Sequence, residues 1–180
     1  MEEGAKETGL LESAVLIRVP EAEPLVGELR RRFDPSAALG IPAHITVVYP
    51  FVPVEEVDAG IQAELRGLFA EVAPSRFELR APARYPSVLY LKPEPDAALR
   101  AIIERVVGRF PEHPPYGGAF EDVTPHLTIA QSGDEPLLAR VESELPRGLP
   151  VEVRITEAVL MTEHEDGLWR VADTFPFGGR

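Results

Sequence analysis

Apolar residues along the 180-residue chain follow two spacings, and each spacing predicts one kind of element. Short runs rich in valine, isoleucine and leucine, several of them ended by proline, predict strands. Apolar positions three and four residues apart predict amphipathic helices. The predicted strands cover residues 13–20, 44–49, 76–80, 87–93 and 126–131, and the predicted helices cover residues 23–34, 54–72, 96–110 and 135–145. The segment 151–177 predicts two long strands joined near Glu165-Asp166-Gly167, because an Asp-Gly pair favours a hairpin turn.

The predicted elements occur in the same order twice. Each half has a strand, a proline, a helix that ends in phenylalanine, a loop, a second proline, a His-x-Thr strand, a helix and a strand. The corresponding markers are Pro20, Phe33, Pro42 and His44 in the first half, and Pro93, Phe110, Pro125 and His126 in the second. Two copies are too few for a repeat array. The order therefore predicts an α+β duplication in which two similar lobes face each other.

One domain is expected from the length and composition. Residues 1–11 are acidic and lack the features of a signal peptide, so we expect a flexible tail there and a single two-lobed domain over residues 12–180. No apolar run approaches the ~20 residues of a membrane-spanning helix. The absence of cysteine excludes a disulfide framework and thiolate chemistry. A cytoplasmic bacterial protein that acts without a membrane fits this composition.

The charge balance bears on the kind of substrate. The chain has 18 basic and 30 acidic residues, for a formal net charge of −12. Proteins that bind long nucleic acids use basic surfaces to neutralise phosphates, and here the largest basic cluster is Arg30-Arg31-Arg32. We interpret that cluster as a solvated helix face. Long nucleic acid is therefore not expected as a partner, whereas a small anionic substrate remains compatible with the charge.

The two His-x-Thr motifs carry the candidate chemistry. Side chains alternate along a strand, so His44 and Thr46 share one face, as do His126 and Thr128. If helices cover the opposite faces, two imidazoles and two hydroxyls point into one cleft. One imidazole can take a proton and the other can give one, while the hydroxyls donate to phosphate oxygens. Such a site needs neither a metal nor a cofactor.

With its two His-x-Thr motifs, the sequence resembles the two-histidine phosphoesterase superfamily, which includes the 2′-5′ RNA ligase-like proteins. The resemblance covers roughly residues 13–177 and includes the sequence YPF after the first motif and PPYGG before the second. It implies two antiparallel sheets flanked by helices around a central cleft with pseudo-twofold symmetry. It also implies metal-independent hydrolysis or formation of ribose phosphodiesters, such as a 2′,3′-cyclic phosphate or a 2′-5′ linkage. His44 and His126 would be the acid/base pair, Thr46 and Thr128 the phosphate ligands.

Three further residues are candidates for substrate binding. RNA-processing members of the superfamily often have arginine shortly after the second motif, and Gln131 stands at that position here. Together with the net charge of −12, that difference favours a small nucleotide or nucleotide-like phosphodiester over RNA. Phe51 follows the first motif and is either a base-stacking ring or a core residue. Tyr116 lies in the loop of residues 111–123 and is either a stacking or lid residue or a ring that anchors the loop.

The other aromatic and basic residues are assigned to structure. Core or structural roles are expected for Tyr49, Tyr85, Tyr90 and Trp169, and surface positions for Arg18 and Lys92.

Two other functions compete with a metal-independent enzyme. A cleft of this kind can also bind a nucleotide or RNA end without turnover. A metal-dependent hydrolase would use the remaining histidines, His113 and His164, but no histidine pair has the close spacing of a typical zinc motif. The sequence leaves open which histidine is the acid, which substrate is used and in which direction. We expect a monomer.

Overall fold

A computed structural model describes residues 9–119 and 123–178, which form eight strands and five helices. The strands are β1 (Ser13–Arg18), β2 (His44–Val48), β3 (Ser75–Tyr85), β4 (Val88–Glu94), β5 (Leu127–Gln131), β6 (Val151–Ile155), β7 (Glu157–Glu163) and β8 (Trp169–Pro176). The helices are α1 (Glu23–Phe33), α2 (Pro35–Ala38), α3 (Ala59–Ala70), α4 (Ala97–Arg109) and α5 (Glu135–Ser143). Short 3-10 turns occupy Pro20–Ala22, Val54–Glu56 and Pro115–Gly118.

The strands form two antiparallel four-stranded sheets with matching orders. The first sheet has the order β2-β1-β7-β8 and the second has the order β5-β4-β3-β6. Each His-x-Thr motif therefore lies on an edge strand, and each edge strand pairs with the strand that precedes it in its own half. The expected α+β fold of two lobes, with two antiparallel sheets and flanking helices, is confirmed.

The helices connect the two halves through a shared core. Helix α1 packs against β5 of the second sheet, and α4 packs against β2 of the first sheet. Buried residues from both sheets consequently form one continuous apolar cluster, which includes Ile17, Ile45, Leu89, Leu127 and Phe175. Burial of this surface is the main favourable contribution to folding. Because α1 and α4 pack across the duplication, the two halves share this core.

The prediction of two long strands over residues 151–177 is wrong, because three strands cover this segment. Strand β6 pairs with β3 in the second sheet, whereas β7 pairs with β1 in the first. The chain changes sheets at Thr156 without a glycine or proline, so the apolar pattern gives no sign of the break. The predicted hairpin between β7 and β8 is correct: Gly167 adopts φ +79°, and the His164 N–H donates to the Leu168 carbonyl at 2.9 Å.

Aspartate side chains cap three helices, and the apolar pattern misplaced or missed the starts of two of them, α3 and α2. The predicted helix over residues 54–72 is a 3-10 turn followed by α3, which begins after Asp58 accepts from the Ile61 N–H at 2.8 Å. Asp34 caps α2 inside the predicted loop of residues 35–42, and Asp134 caps α5. An N-cap carboxylate satisfies a backbone donor that the helix itself leaves unpaired.

Most of the predicted flexible tail, residues 1–8, lies outside the described residues. Its last residue is held in place, because the Leu11 carbonyl accepts from the Val54 N–H at 2.9 Å. Within residues 9–119 and 123–178, no helix combines the length and the apolar character needed to cross a bilayer.

Candidate active site

The two edge strands β2 and β5 lie next to each other, and a cleft of about 380 Å³ opens along them. All four residues of the two motifs line this cleft: His44, Thr46, His126 and Thr128. Tyr116 and Gln131 line it as well. The structure therefore brings together six of the seven residues that the sequence marked as candidates.

Each histidine is oriented by the same local hydrogen bond. Nδ1 of His44 lies 2.8 Å from the Pro42 carbonyl, and Nδ1 of His126 lies 2.8 Å from the Thr124 carbonyl. A carbonyl can only accept, so Nδ1 carries the proton in both rings. When the imidazoles are neutral, Nε2 of each ring is consequently the unprotonated nitrogen and can accept a proton.

Burial keeps both imidazoles neutral. Desolvation lowers the pKa of His44 to about 4, with a smaller contribution in the same direction from the Arg30 guanidinium. Desolvation also lowers the pKa of His126. Each cationic imidazole would oppose the other, because the charge of His126 further lowers the pKa of His44. At neutral pH the site thus presents two proton acceptors.

A β-bulge follows each motif and changes the direction of the next side chain. In β2, Val47 and Val48 are consecutive buried residues, and the pairing with β1 shifts at the same point. In β5, Ile129 and Ala130 are both buried, and the pairing with β4 shifts in the same way. An extra residue in one strand reverses the alternation beyond it.

Because of these bulges, Tyr49 and Gln131 return to the cleft face at equivalent positions. The assignment of Tyr49 to the core by simple alternation is therefore wrong. Its hydroxyl donates to Oε2 of Glu12 at 2.6 Å at one end of the cleft. For Gln131, the bulge places an amide side chain on the same face as Thr128.

Tyr116 approaches the first motif from the loop of the second half. Its N–H donates to the Tyr49 carbonyl at 2.6 Å, and its hydroxyl shares a hydrogen bond with the hydroxyl of Thr46. Burial raises the pKa of Tyr116, an effect larger than the lowering by Thr46. The tyrosine thus reaches the cleft from the opposite half of the duplication.

Phe51 does not line the cleft, so its assignment to substrate binding is wrong. The side chain is 3% exposed and makes edge-on contacts with Phe110 and His113, at centroid distances of 5.0 Å and 5.9 Å. It belongs to the main apolar cluster, where the end of β2 meets the end of α4. The large apolar area of the phenyl ring favours its burial. This agrees with the alternative expectation that Phe51 is a core residue.

A second apolar cluster forms one wall of the cleft. Trp169 is buried in it beside Leu16 and Met161, and its ring lies 5.9 Å from that of Tyr49 in an edge-on arrangement. The core assignment of Trp169 is correct as far as burial is concerned. The indole also lines the cleft, which sequence reasoning did not expect. Strand β8 lies far along the chain from the motifs and at the opposite edge of the first sheet from β2, so the sequence gives no sign of this proximity.

Two further tyrosines surround His126. The rings of Tyr85 and Tyr90 lie 5.8 Å and 5.6 Å from the imidazole, both edge-on, and stack on each other at 4.5 Å. Burial, together with a hydrogen bond with Tyr85, raises the pKa of Tyr90 to about 12. Their structural role thus consists of packing around one of the two candidate catalytic groups.

The expectation of a solvated face for Arg30 is wrong, although it holds for Arg31 and Arg32. Arg30 is 2% exposed, and its guanidinium donates to Oδ2 of Asp34 at 2.9 Å and 3.1 Å. The same group donates to Ser36 Oγ at 3.0 Å and to the Ile41 carbonyl at 3.2 Å. Helical i,i+4 spacing between Arg30 and Asp34 is the sequence signal that points to this pair.

The charged side chains that line the cleft are carboxylates. Glu12, Asp34 and Glu163 contribute to its walls, and within the described part of the chain no lysine or arginine does so. Arg18 and Lys92 instead form surface ion pairs with Glu157 and Glu94, as expected.

The remaining histidines lie away from the motifs. His113 packs against Phe51, and His164 is in the exposed β7–β8 hairpin. Over residues 9–119 and 123–178, no group of three or more histidine and carboxylate side chains is arranged to hold a metal ion.

The fold and the cleft define a class of protein: a duplicated α+β domain that presents one His-x-Thr motif from each half to a shared site. The family model described as the 2′-5′ RNA ligase superfamily matches residues 19–167, and the chain belongs to this family of two-histidine phosphoesterases. The matched range contains both motifs.

Relatives and solved structures agree with this membership. A Bacillus licheniformis protein provisionally named a phosphoesterase is 30% identical over 175 residues, which cover 91% of this chain and 96% of that protein. A Geobacillus kaustophilus protein with the same provisional name is 33% identical over 156 residues, 84% of this chain and 87% of that protein. The fold matches that of E. coli LigT complexed with 3′-AMP, with a TM-score of 0.63, 14% identity and coverage of 93% and 98% of the two chains.

Proposed function

We propose that this protein is a metal-independent phosphoesterase that hydrolyses, or in the reverse direction forms, a ribose phosphodiester such as a 2′,3′-cyclic phosphate or a 2′-5′ linkage. One observation carries the proposal: His44 and His126 hold the same tautomer through equivalent hydrogen bonds, and each has a threonine hydroxyl beside it in the same cleft. A site that only binds a ligand has no need for a matched pair of proton-transfer groups.

The proposed hydrolysis requires one proton to enter the site and one to leave it. Nε2 of one imidazole takes a proton from the attacking water as oxygen bonds to phosphorus. The other imidazole, protonated in the complex with the anionic substrate, gives its proton to the departing ribose oxygen. Each step of this kind is typically worth about 10²–10⁴-fold in rate. The two histidines end with exchanged protonation states, and exchange with solvent restores the starting form.

Thr46 and Thr128 would bind the non-bridging phosphate oxygens. Negative charge builds on these oxygens in the transition state, where hydroxyl donors held in place by strands need little reorganisation. Gln131 would add an amide donor on the side of Thr128, and Tyr116 would contact the substrate on the side of Thr46.

The size and charge of the cleft favour a small substrate. A volume of about 380 Å³ lies within the usual range of pockets for small molecules. The net charge of −12 and the carboxylates of the cleft disfavour a long polyanion. We therefore propose a small nucleotide or a short RNA end as the substrate.

The test is turnover in EDTA of the four 2′,3′-cyclic nucleotides and a 2′-5′ dinucleotide. Wild-type protein is compared with the His44→Ala/His126→Ala double variant and with His164→Ala, which changes a histidine in the exposed hairpin. We expect turnover by wild type and His164→Ala and none by the double variant. Activity that disappears with the chelator would contradict the metal-independent mechanism. Saturable binding without product would instead support the binding-module alternative.

A further inference from the structure

Tyr116 occupies a backbone conformation that is unusual for a residue with a side chain. Its φ is +53°, and Gly117 and Gly118 follow with φ of +63° and +79°. Left-handed backbone at a non-glycine residue costs about 1 kcal/mol or more, and it persists where surrounding contacts impose it. The contact here is the bond from the Tyr116 N–H to the Tyr49 carbonyl, at 2.6 Å. The loop thus holds this one ring in the cleft.

The hydroxyl of Tyr116 lies beside Thr46, the residue of the first motif that the proposed function makes a phosphate ligand. The hydroxyls of Thr46 and Tyr116 share a hydrogen bond, so the two oxygens lie within hydrogen-bond distance of each other. Burial raises the pKa of the phenol, which keeps it protonated at neutral pH and able to donate. The position favours a polar contact through the hydroxyl over stacking through the ring face.

The charges of the cleft create a need for such a donor. No lysine or arginine among the described residues lines it, and three carboxylates do. The nearest buried cation, Arg30, donates both Nε–H and Nη2–H to Asp34. A phosphodiester gains negative charge as a nucleophile adds, and apart from the protonated imidazole the side-chain donors of the described residues that line the cleft are neutral.

We propose that Tyr116 is a catalytic residue whose hydroxyl donates a hydrogen bond to a non-bridging phosphate oxygen, beside the hydroxyl of Thr46. This inference rests on the proposed phosphoesterase function and names a third hydroxyl ligand for the same site. It assigns the role to the hydroxyl rather than to the ring. When substrate binds, the hydroxyls of Thr46 and Tyr116 turn from each other to the phosphate.

Paired substitutions at position 116 separate the hydroxyl from the ring. Tyr116→Phe keeps the ring and removes the donor, whereas Tyr116→Ala removes both. Loss of one such donor typically lowers kcat by about 10²–10³-fold. We expect a fall of about 10²-fold in kcat for Tyr116→Phe on a 2′,3′-cyclic nucleotide, with KM changed less than threefold. A stacking residue would give the opposite pattern, with Tyr116→Phe active and Tyr116→Ala raised in KM.

Replacing a phosphate oxygen of the substrate with sulfur provides a second test, and its first part needs only the wild-type protein. The two diastereomers of a 2′,3′-cyclic phosphorothioate place sulfur at one or the other non-bridging position, and sulfur accepts hydrogen bonds poorly. We expect wild type to prefer one diastereomer by at least tenfold in kcat/KM, and Tyr116→Phe to reduce this preference severalfold. Equal rates of wild type on both diastereomers would overturn the assignment.

The outcomes distinguish this inference from the function on which it rests. If wild type is active and Tyr116→Phe matches it within twofold, the assignment of Tyr116 is wrong and the phosphoesterase proposal stands. If wild type cleaves none of the diesters, the phosphoesterase proposal fails and the assignment fails with it.

Discussion

His44 and His126 lie at equivalent positions of the two halves, and the carbonyl two residues earlier in each motif accepts from Nδ1 at 2.8 Å. The duplication has therefore preserved the hydrogen bond that selects the tautomer as well as the histidine itself. The proline that precedes each motif by one or two residues limits the backbone there, which helps to place that carbonyl. The sequence repeat thus produces two imidazoles in which Nε2 is unprotonated when the rings are neutral.

Single substitutions of the two histidines should be similarly damaging. We expect His44→Ala and His126→Ala each to lower kcat by about 10²–10⁴-fold, because each removes one proton-transfer step. Steady-state kinetics on the best cyclic nucleotide give the values, with His164→Ala as the control in the exposed hairpin. A variant at either motif with more than a tenth of wild-type kcat would remove that histidine from the mechanism.

The depressed pKa of His44 makes a prediction about stability and pH. The pKa is about 4 in the folded protein and 6.5 in the unfolded chain, so the unfolded chain binds more protons between these values. The free energy of unfolding should therefore fall as the pH drops from 6.5 to 4, by about 1–3 kcal/mol through this group. Urea unfolding at pH 4.5 and 7 should show a smaller fall for His44→Gln than for wild type. An identical fall in both proteins would mean that the imidazole is not held neutral by burial.

The positions of the candidate catalytic residues could be predicted from the sequence where they depend on a pattern of a few neighbouring residues. His44, Thr46, His126 and Thr128 were found because strand alternation and an internal repeat both act over a few residues. Tyr49 was misassigned because a bulge is specified by pairing with β1, which the sequence of β2 alone does not contain. The change of sheets at Thr156 was missed for the same reason: β6 and β7 differ in their partners rather than in their composition.

Arg30 shows that the burial of a charged residue is also difficult to predict from the sequence. In the sequence it is one of three consecutive arginines, and only the i,i+4 spacing to Asp34 separates it from Arg31 and Arg32. The segment that follows α1 folds back over it, so that Asp34, Ser36 and the Ile41 carbonyl accept from its guanidinium. Counting three residues back from Phe33 and from Phe110 places Val107 at the equivalent position of the second half, so the ion pair belongs to one half only.

Breaking this buried ion pair should be strongly destabilising. Arg30→Met leaves Asp34 buried without its cation, and we expect a loss of about 3–5 kcal/mol in the free energy of unfolding. Arg31→Met, at an exposed neighbouring position, should change it by less than about 0.5 kcal/mol. Urea unfolding at neutral pH measures both. Part of the lost stability should return in Arg30→Met/Asp34→Asn, because the uncompensated charge is gone. Equal stability of Arg30→Met and Arg31→Met would contradict a contribution of the ion pair to the free energy of unfolding.

Phe51 should affect stability rather than substrate binding. Its contacts with Phe110 and His113 place it in the core, so Phe51→Ala should lose about 3–5 kcal/mol through lost burial and a residual cavity. Phe51→Leu should lose less, since it refills much of the volume. In Phe51→Leu, KM for a cyclic nucleotide should stay within twofold of wild type. A tenfold rise in KM with unchanged stability would restore the stacking role.

The position of Trp169 predicts a direct optical signal for ligands in the cleft. It is the only tryptophan of the chain, and it lines the same cleft as both motifs beside Tyr49. An adenine ring bound against this wall would change the polarity around the indole, so adenosine 2′-phosphate should change the emission in a saturable manner. Inorganic phosphate, which can occupy the histidine and threonine groups without reaching the apolar wall, should change it much less. Calorimetry provides the independent measure of binding. Saturable heat from adenosine 2′-phosphate with unchanged emission would show that the nucleoside lies elsewhere in the cleft, on the side of Gln131 rather than of Trp169.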